Sequence, residues 1–194
     1  HITAIASRVQ YCVDFYAGIL GLRLVKKTVN FDAPDVYHLY FGNETGSPGT
    51  AMTFFPFEGA RRGRIGGGQA GWTTFAVPRG ALAFWEERLD KFAIPHERAE
   101  RFGETYLRFK DRDGLQLELV EREEGPPSRW PFGGVPAERA IKGFGGAVLY
   151  STEPARTMRA LEQVLGLARV GEERGTVRFK AGGELGNLID VSLR

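Results

Sequence analysis

The chain opens His1-Ile-Thr-Ala-Ile-Ala6, and the reading of this stretch with the fifty residues after it decides the fold. A helical pattern follows, with Val9, Cys12, Tyr16, Ile19 and Leu20 spaced three and four residues apart. Gly21 stands where a helix ends in a left-handed residue. Then come Leu24-Val-Lys-Lys-Thr-Val-Asn-Phe31, Tyr37-His-Leu-Tyr-Phe-Gly42 and Thr50-Ala-Met-Thr-Phe-Phe55, each rich in β-branched and aromatic residues. The unit reads strand, helix, strand, strand, strand.

That order recurs twice. Ile19-Leu-Gly-Leu-Arg-Leu-Val25 has a counterpart in Val164-Leu-Gly-Leu-Ala-Arg-Val170, and Tyr106-Leu-Arg-Phe-Lys110 has one in Thr176-Val-Arg-Phe-Lys180. A fixed order repeated along a chain is the mark of a modular architecture. The second unit starts with Trp72-Thr-Thr-Phe-Ala-Val77 and continues through a helical stripe of Leu82, Trp85, Leu89 and Phe92. Arg98 to Gly103 reads as an edge strand of low apolar content. Asp111-Arg-Asp-Gly114 is a hairpin turn that leads into the alternating strand Leu115-Gln-Leu-Glu-Leu-Val120. The third unit starts at Phe144 to Tyr150, passes a helix whose buried stripe is Ala155, Met158, Leu161 and Leu165, and ends in strands at Leu167 to Gly171, Thr176 to Lys180 and Asn187 to Leu193. The expected class is therefore α+β, with βαβββ modules at 1–56, 70–122 and 142–194. A linker at 123–141 contains Pro126-Pro127, which argues against helix or sheet there.

Composition narrows the function classes. A chain of 194 residues with 42% hydrophobic content buries a sizeable core. The net charge is +2 and dispersed, and the one dense basic run, Arg61-Arg62-Gly63-Arg64 before Gly66-Gly67-Gly68, reads as a solvated connector; a nucleic-acid protein needs a larger basic face. Cys12 is the only cysteine, which excludes a disulfide framework and a thiolate zinc site within one chain and fits a reducing cytoplasm. No apolar run approaches the roughly 18 residues of a membrane span, and no signal peptide is visible. The start at His1, inside a strand pattern, and the stop at Val191-Ser-Leu-Arg194 raise the expectation of further residues at both ends.

With a histidine at the mouth of the first strand and Asp111-x-Asp-Gly-Leu-x-Leu-Glu-Leu119 closing the second unit, the chain resembles the vicinal oxygen chelate superfamily of glyoxalases, bleomycin-resistance proteins and extradiol dioxygenases. His1-Ile-Thr-Ala-Ile, Asp14-Phe-Tyr, Leu20-Gly-Leu-Arg-Leu-Val-Lys-Lys-Thr-Val-Asn-Phe-Asp32, Tyr37-His-Leu-Tyr-Phe-Gly42 and Gly46-Ser-Pro-Gly-Thr50 resemble its hydroquinone-type ring-cleaving dioxygenases. That resemblance implies concave mixed sheets that pair into open barrels. It also implies four modules, and an iron(II), or sometimes manganese(II), held by two histidines and a glutamate. One histidine maps onto His1. The other two donors belong to the fourth module, so these residues alone are expected to be inactive. Modules two and three would face each other and leave the first sheet open, to be covered by a second copy in a homo-oligomer or by residues outside these 194. The implied substrates are small hydroquinone- or catechol-like aromatics and dioxygen.

Other residues compete for roles. Thr3 lines the face of His1 and could support a ligand there, but a threonine in a strand is more often an ordinary strand former. His38, with Tyr37 and Tyr40 beside it, fits a satisfied imidazole against an aromatic wall better than a ligand, and His96 reads as a surface residue. Glu118, between Leu117 and Leu119, is the rival metal carboxylate, because two-module members of the superfamily place one there. With His1 it would serve a glyoxalase-like lyase or transferase. Gly145 and Asp190 hold the comparable places in the third unit, where glycine offers no side-chain donor. A metal-free ligand-binding protein of the resistance type is the remaining alternative.

Overall fold

The structure, a computed structural model, describes residues 1–193; Arg194, the last residue of the expected third module, lies outside the described residues. The first repeat is β1 (Ile2–Ala6), the helix α1 (Val9–Cys12) with a wider-wound continuation Val13–Ile19, β2 (Arg23–Val29), β3 (Tyr37–Gly42) and β4 (Met52–Pro56). The second is β5 (Gln69–Val77), α2 (Leu82–Lys91), β6 (His96–Arg101), β7 (Glu104–Lys110) and β8 (Gln116–Glu121). After an irregular segment with one short turn at Ala137–Arg139 comes the third: β9 (Gly143–Tyr150), α3 (Pro154–Arg159) with its continuation Ala160–Val164, β10 (Ala168–Glu173), β11 (Thr176–Lys180) and β12 (Leu188–Ser192).

Each repeat builds the same four-strand pattern. Its first strand pairs in parallel with its last, and the other two follow antiparallel: β1-β4-β3-β2, β5-β8-β7-β6 and β9-β12-β11-β10. The second and third are joined edge to edge, β5 antiparallel to β9, into an eight-stranded sheet. This sheet curls until its far edges meet: the Phe102 amide donates to the Glu173 carboxylate, and the Arg178 guanidinium lies 4.2 Å from the Phe102 ring centre. Among the described residues the first sheet shares no strand pairing with this one.

Local chemistry explains the breaks. The first and third helices end in π-type turns, with Leu20 N–H donating to Phe15 and Leu165 N–H to Ala160, five residues back. Asp111 Oδ1 accepts from the amides of Asp113 at 2.9 Å and Leu115 at 2.8 Å, which shapes the hairpin turn, and Gly114 takes the left-handed φ of 88° that it needs. Two expected stripes need correction. Ala155 and Leu165 are exposed: Leu165, at 66%, because the extra residue in the π turn carries the end of the helix off the buried line, and Ala155 in the first turn of α3, ahead of that turn. Phe92 is 40% exposed because it lies just past the end of α2, where Arg88 stacks on it.

The main core joins the two sheets. Phe15, Tyr16 and Leu20 of the first helix and Trp85 and Leu89 of α2 share one buried cluster with Leu39 and Phe54 of the first sheet and Leu107 and Leu117 of the second. The segment 123–141 is not a free strap, since Val135, Ala140 and Ile141 are buried in that cluster. The third repeat has its own small core of Leu161, Val177, Phe179 and Val191.

Candidate functional site

One side of the first sheet packs on the helices, and the other is open. Alternation along β1 places His1, Thr3 and Ile5 on the open side, where Ile5 is 59% exposed. Register then sets the neighbours: Thr3 lies opposite Thr53, Thr53 opposite Tyr40, and Tyr40 opposite Lys26. Thr3 and Thr53 share a hydrogen bond of 2.9 Å between their hydroxyls. The Tyr40 hydroxyl and His38 Nδ1 are 2.9 Å apart. The His38 ring is flanked by Tyr40, at 4.1 Å between centres, and by Phe55, at 4.0 Å.

His38 thus sits against an aromatic wall, but it is not satisfied: its buried Nε2 has no hydrogen-bond partner among the described residues. Burial, and then the charge of Lys26, lower its pKa, so the ring is held neutral. Tyr37 does not join this face. Three residues from Tyr40 in one strand, it points the other way, with Lys27 Nζ 4.0 Å from its ring centre. His96 opens β6 in the other sheet, its Nδ1 3.0 Å from the Ile94 carbonyl oxygen, so its role there is structural and it is less exposed than a surface residue.

Glu118 points into the curled eight-stranded sheet and is fully buried. Both oxygens are engaged: Thr74 Oγ1 donates to it at 2.7 Å, Arg101 Nη2 at 2.6 Å and Arg108 Nε at 3.1 Å. The lyase alternative therefore loses its carboxylate, which belongs to a different sheet from His1 and is bound to fixed cations. Asp190, expected to stand in an empty position, is buried and ion-paired with Arg101 and Arg178. The arginines were the residues missed. For Arg108 and Arg178 a signal was present in the repeated Leu/Val-Arg-Phe-Lys strands, where a charge sits between two apolar residues; Arg101, at the end of the charged strand His96–Arg101, has no such pattern.

A three-donor metal site is not assembled by these residues: among those described, no group of three or more His, Cys, Asp or Glu is placed to hold an ion. His1 is a single donor on the open face, so the donors present in this segment do not by themselves hold the metal that the resemblance implies.

The family model for the glyoxalase/bleomycin resistance protein/dioxygenase superfamily matches residues 1–119. The chain belongs to that superfamily. Among curated relatives, the "Putative ring-cleaving dioxygenase MhqO" of Bacillus subtilis (strain 168) is 58% identical over 193 residues, covering 100% of this chain and 62% of the relative. The chlorohydroquinone/hydroquinone 1,2-dioxygenase of Sphingobium indicum is 44% identical over 149 residues, 74% of this chain and 46% of that protein. A crystal structure of a dioxygenase, titled "putative", from Bacillus subtilis superposes with a TM-score of 0.99 at 58% identity, covering all of this chain and 63% of that one. This superfamily chain thus spans less than two thirds of the length of these relatives. No helix among its described residues is long and apolar enough to cross a membrane.

Proposed function

We propose that this chain, within a polypeptide of its relatives' length, serves a ring-cleaving dioxygenase that acts on hydroquinone- or catechol-like aromatics with dioxygen. The observation that carries this is the open face of the first sheet. It offers an imidazole at His1, the exposed Thr3 hydroxyl bonded to that of the buried Thr53, and a phenol–imidazole pair at Tyr40 and His38, beside the apolar side chains of Ile5 and Phe55. A flat ring bearing hydroxyls matches such a surface, because the ring needs apolar contact and each hydroxyl needs a partner. The names of the relatives point to the same substrates.

The metal requirement, iron(II) or manganese(II), belongs to this proposal, with His1 as the donor this segment offers and the others supplied from outside it. The open face is where they would converge. An ion held there would supply a shared centre for a ring oxygen and dioxygen. The test uses the full-length protein loaded with iron(II) without air, then exposed to oxygen with a panel of hydroquinones and catechols. Oxygen uptake matched by loss of the aromatic absorption is expected, and His1→Ala removes both. No ring opening by the loaded full-length protein overturns the proposal.

A further inference from the structure

Two carboxylates converge inside the eight-stranded sheet. Glu118 comes from the last strand of the second repeat and Asp190 from the last strand of the third, and they are 0% and 3% exposed. Buried carboxylates brought together need a cation, and a divalent ion is one way to supply it. Here arginine supplies it. Arg101 lies between the two, with Nη2 and Nη1 donating to Glu118 at 2.6 and 3.3 Å and Nε to Asp190 at 2.6 Å. Arg178 grips Asp190 through Nε at 2.8 Å and Nη2 at 2.9 Å, and reaches across to Glu104 at 2.6 Å and the Tyr106 hydroxyl at 2.8 Å.

No capacity is left over. With Thr74 and Arg108, Glu118 accepts four hydrogen bonds, and a carboxylate has about four lone-pair sites. The same cluster holds two further guanidiniums, Arg108 paired with Glu118 and Arg122 paired with Glu104. Arg101 lines a cavity of about 520 Å³ and Arg178 another of about 390 Å³. The aromatic rings of Tyr106 and Phe102, 4.0 and 4.2 Å from the two guanidinium carbons, hold the arginines in place.

We infer that Arg101 and Arg178 occupy, as fixed cations, the place between Glu118 and Asp190 that a metal ion would otherwise take, so that this barrel is closed to metal and its two repeats are cross-linked by arginine. Register in the first repeat supports the contrast. Thr74 lies opposite Glu118, which lies opposite Arg108; the corresponding row in the first sheet is Thr3, Thr53 and Tyr40, with no carboxylate and no arginine. A guanidinium cannot be chelated away and stays charged, so the cross-link is permanent. Burial works against the charge of Arg101, and the hydrogen bond and charge of Glu118 more than restore it.

The inference does not rest on the proposed oxygenase activity, and its test reads bound manganese(II), counted by equilibrium dialysis and electron paramagnetic resonance on the full-length protein. Glu118→Gln and Asp190→Asn are expected to leave the number of ions per chain unchanged. The double variant Arg101→Met/Arg178→Met, shown to be folded by circular dichroism, is expected to gain roughly one ion per chain with oxygen ligands, which a further Glu118→Gln removes. A loss of bound metal in Glu118→Gln or Asp190→Asn alone overturns the inference, as does a folded double variant that gains none. If the double variant unfolds, the single Arg101→Met variant is read by the same criteria.

Discussion

The Arg88 side chain of α2 donates through Nε to the carbonyl oxygen of Ile19, at 2.6 Å, at the end of the first helix. Its Nη2 reaches the carbonyls of Gly18 at 3.0 Å and Gly133 at 2.6 Å. One arginine from the second repeat thus closes the helix end of the first, whose last carbonyls lack partners within the helix, and also holds the segment between the second and third repeats. It is only 6% exposed, and burial lowers its pKa, so its charge is maintained at a cost that these three acceptors offset.

Arg88→Met keeps the length and removes the donors. The expected loss is about 3 kcal/mol, since charged hydrogen bonds vanish and buried carbonyls are left unpaired. Urea unfolding with an unchanged slope measures it; a loss below about 1 kcal/mol would show that water replaces the clamp.

Two glycines that the repeat places alike should respond unequally. Gly21 and Gly166 have φ of 71° and 70°, but a Cβ on Gly21 would lie 2.9 Å from a Val135 methyl, whereas one on Gly166 meets nothing within 4 Å. Gly166→Ala is expected to cost only the left-handed strain, about 1 kcal/mol. Gly21→Ala adds overpacking, for about 2–4 kcal/mol in all. Thermal melts of the two variants side by side give the comparison, and equal shifts would refute it.

Cys12 is buried, and its thiol is pushed up to about 12, first by burial and then by the charges of Asp111 and Asp113. A thiol without its thiolate is unreactive. Iodoacetamide at pH 8 should leave the folded protein unmodified and label it fully in denaturant, as read by intact mass. Labelling of the folded protein at the denatured rate would contradict this.

Tyr16 donates its hydroxyl to Asp111 Oδ2 at 2.8 Å and joins the first helix to the second repeat's hairpin. Burial, the largest cause, raises the Asp111 pKa despite the amide of Leu115 and the Tyr16 hydroxyl. The native state therefore holds this proton more tightly than the unfolded chain. Its contribution is full below a pH of about 4 and is lost as pH rises through the native pKa. Stability of Asp111→Asn should fall less steeply than that of the parent as pH rises from about 4 to 6, in urea midpoints taken across that window. A steeper fall would reverse the sign and defeat the assignment.

Much of the fold was legible because it is written locally. The βαβββ order shows in alternation and helical spacing, and the hairpin in Asp111 to Gly114. The inward turn of Glu118 was left open by the same alternation, which gives two faces without saying which is wet. The stripe of the third helix was misjudged at Leu165, because a π turn leaves no signature in residue spacing, and at Ala155, in the first turn of the helix ahead of that turn. His38 was placed correctly beside its aromatic wall, but its unpartnered Nε2 depends on ring orientation.

The sequence by itself determined the repeated module, the places where helices stop and the strand on which each candidate donor sits, because those depend on chain geometry over a few residues. Only the tertiary structure decided what the donors face. Arg101 and Asp190 are 89 residues apart and meet because two sheets join edge to edge, whereas Thr3 and Thr53 meet in a sheet left open. Charge pairing across such distances is fixed by how modules are joined, and no local pattern carries that.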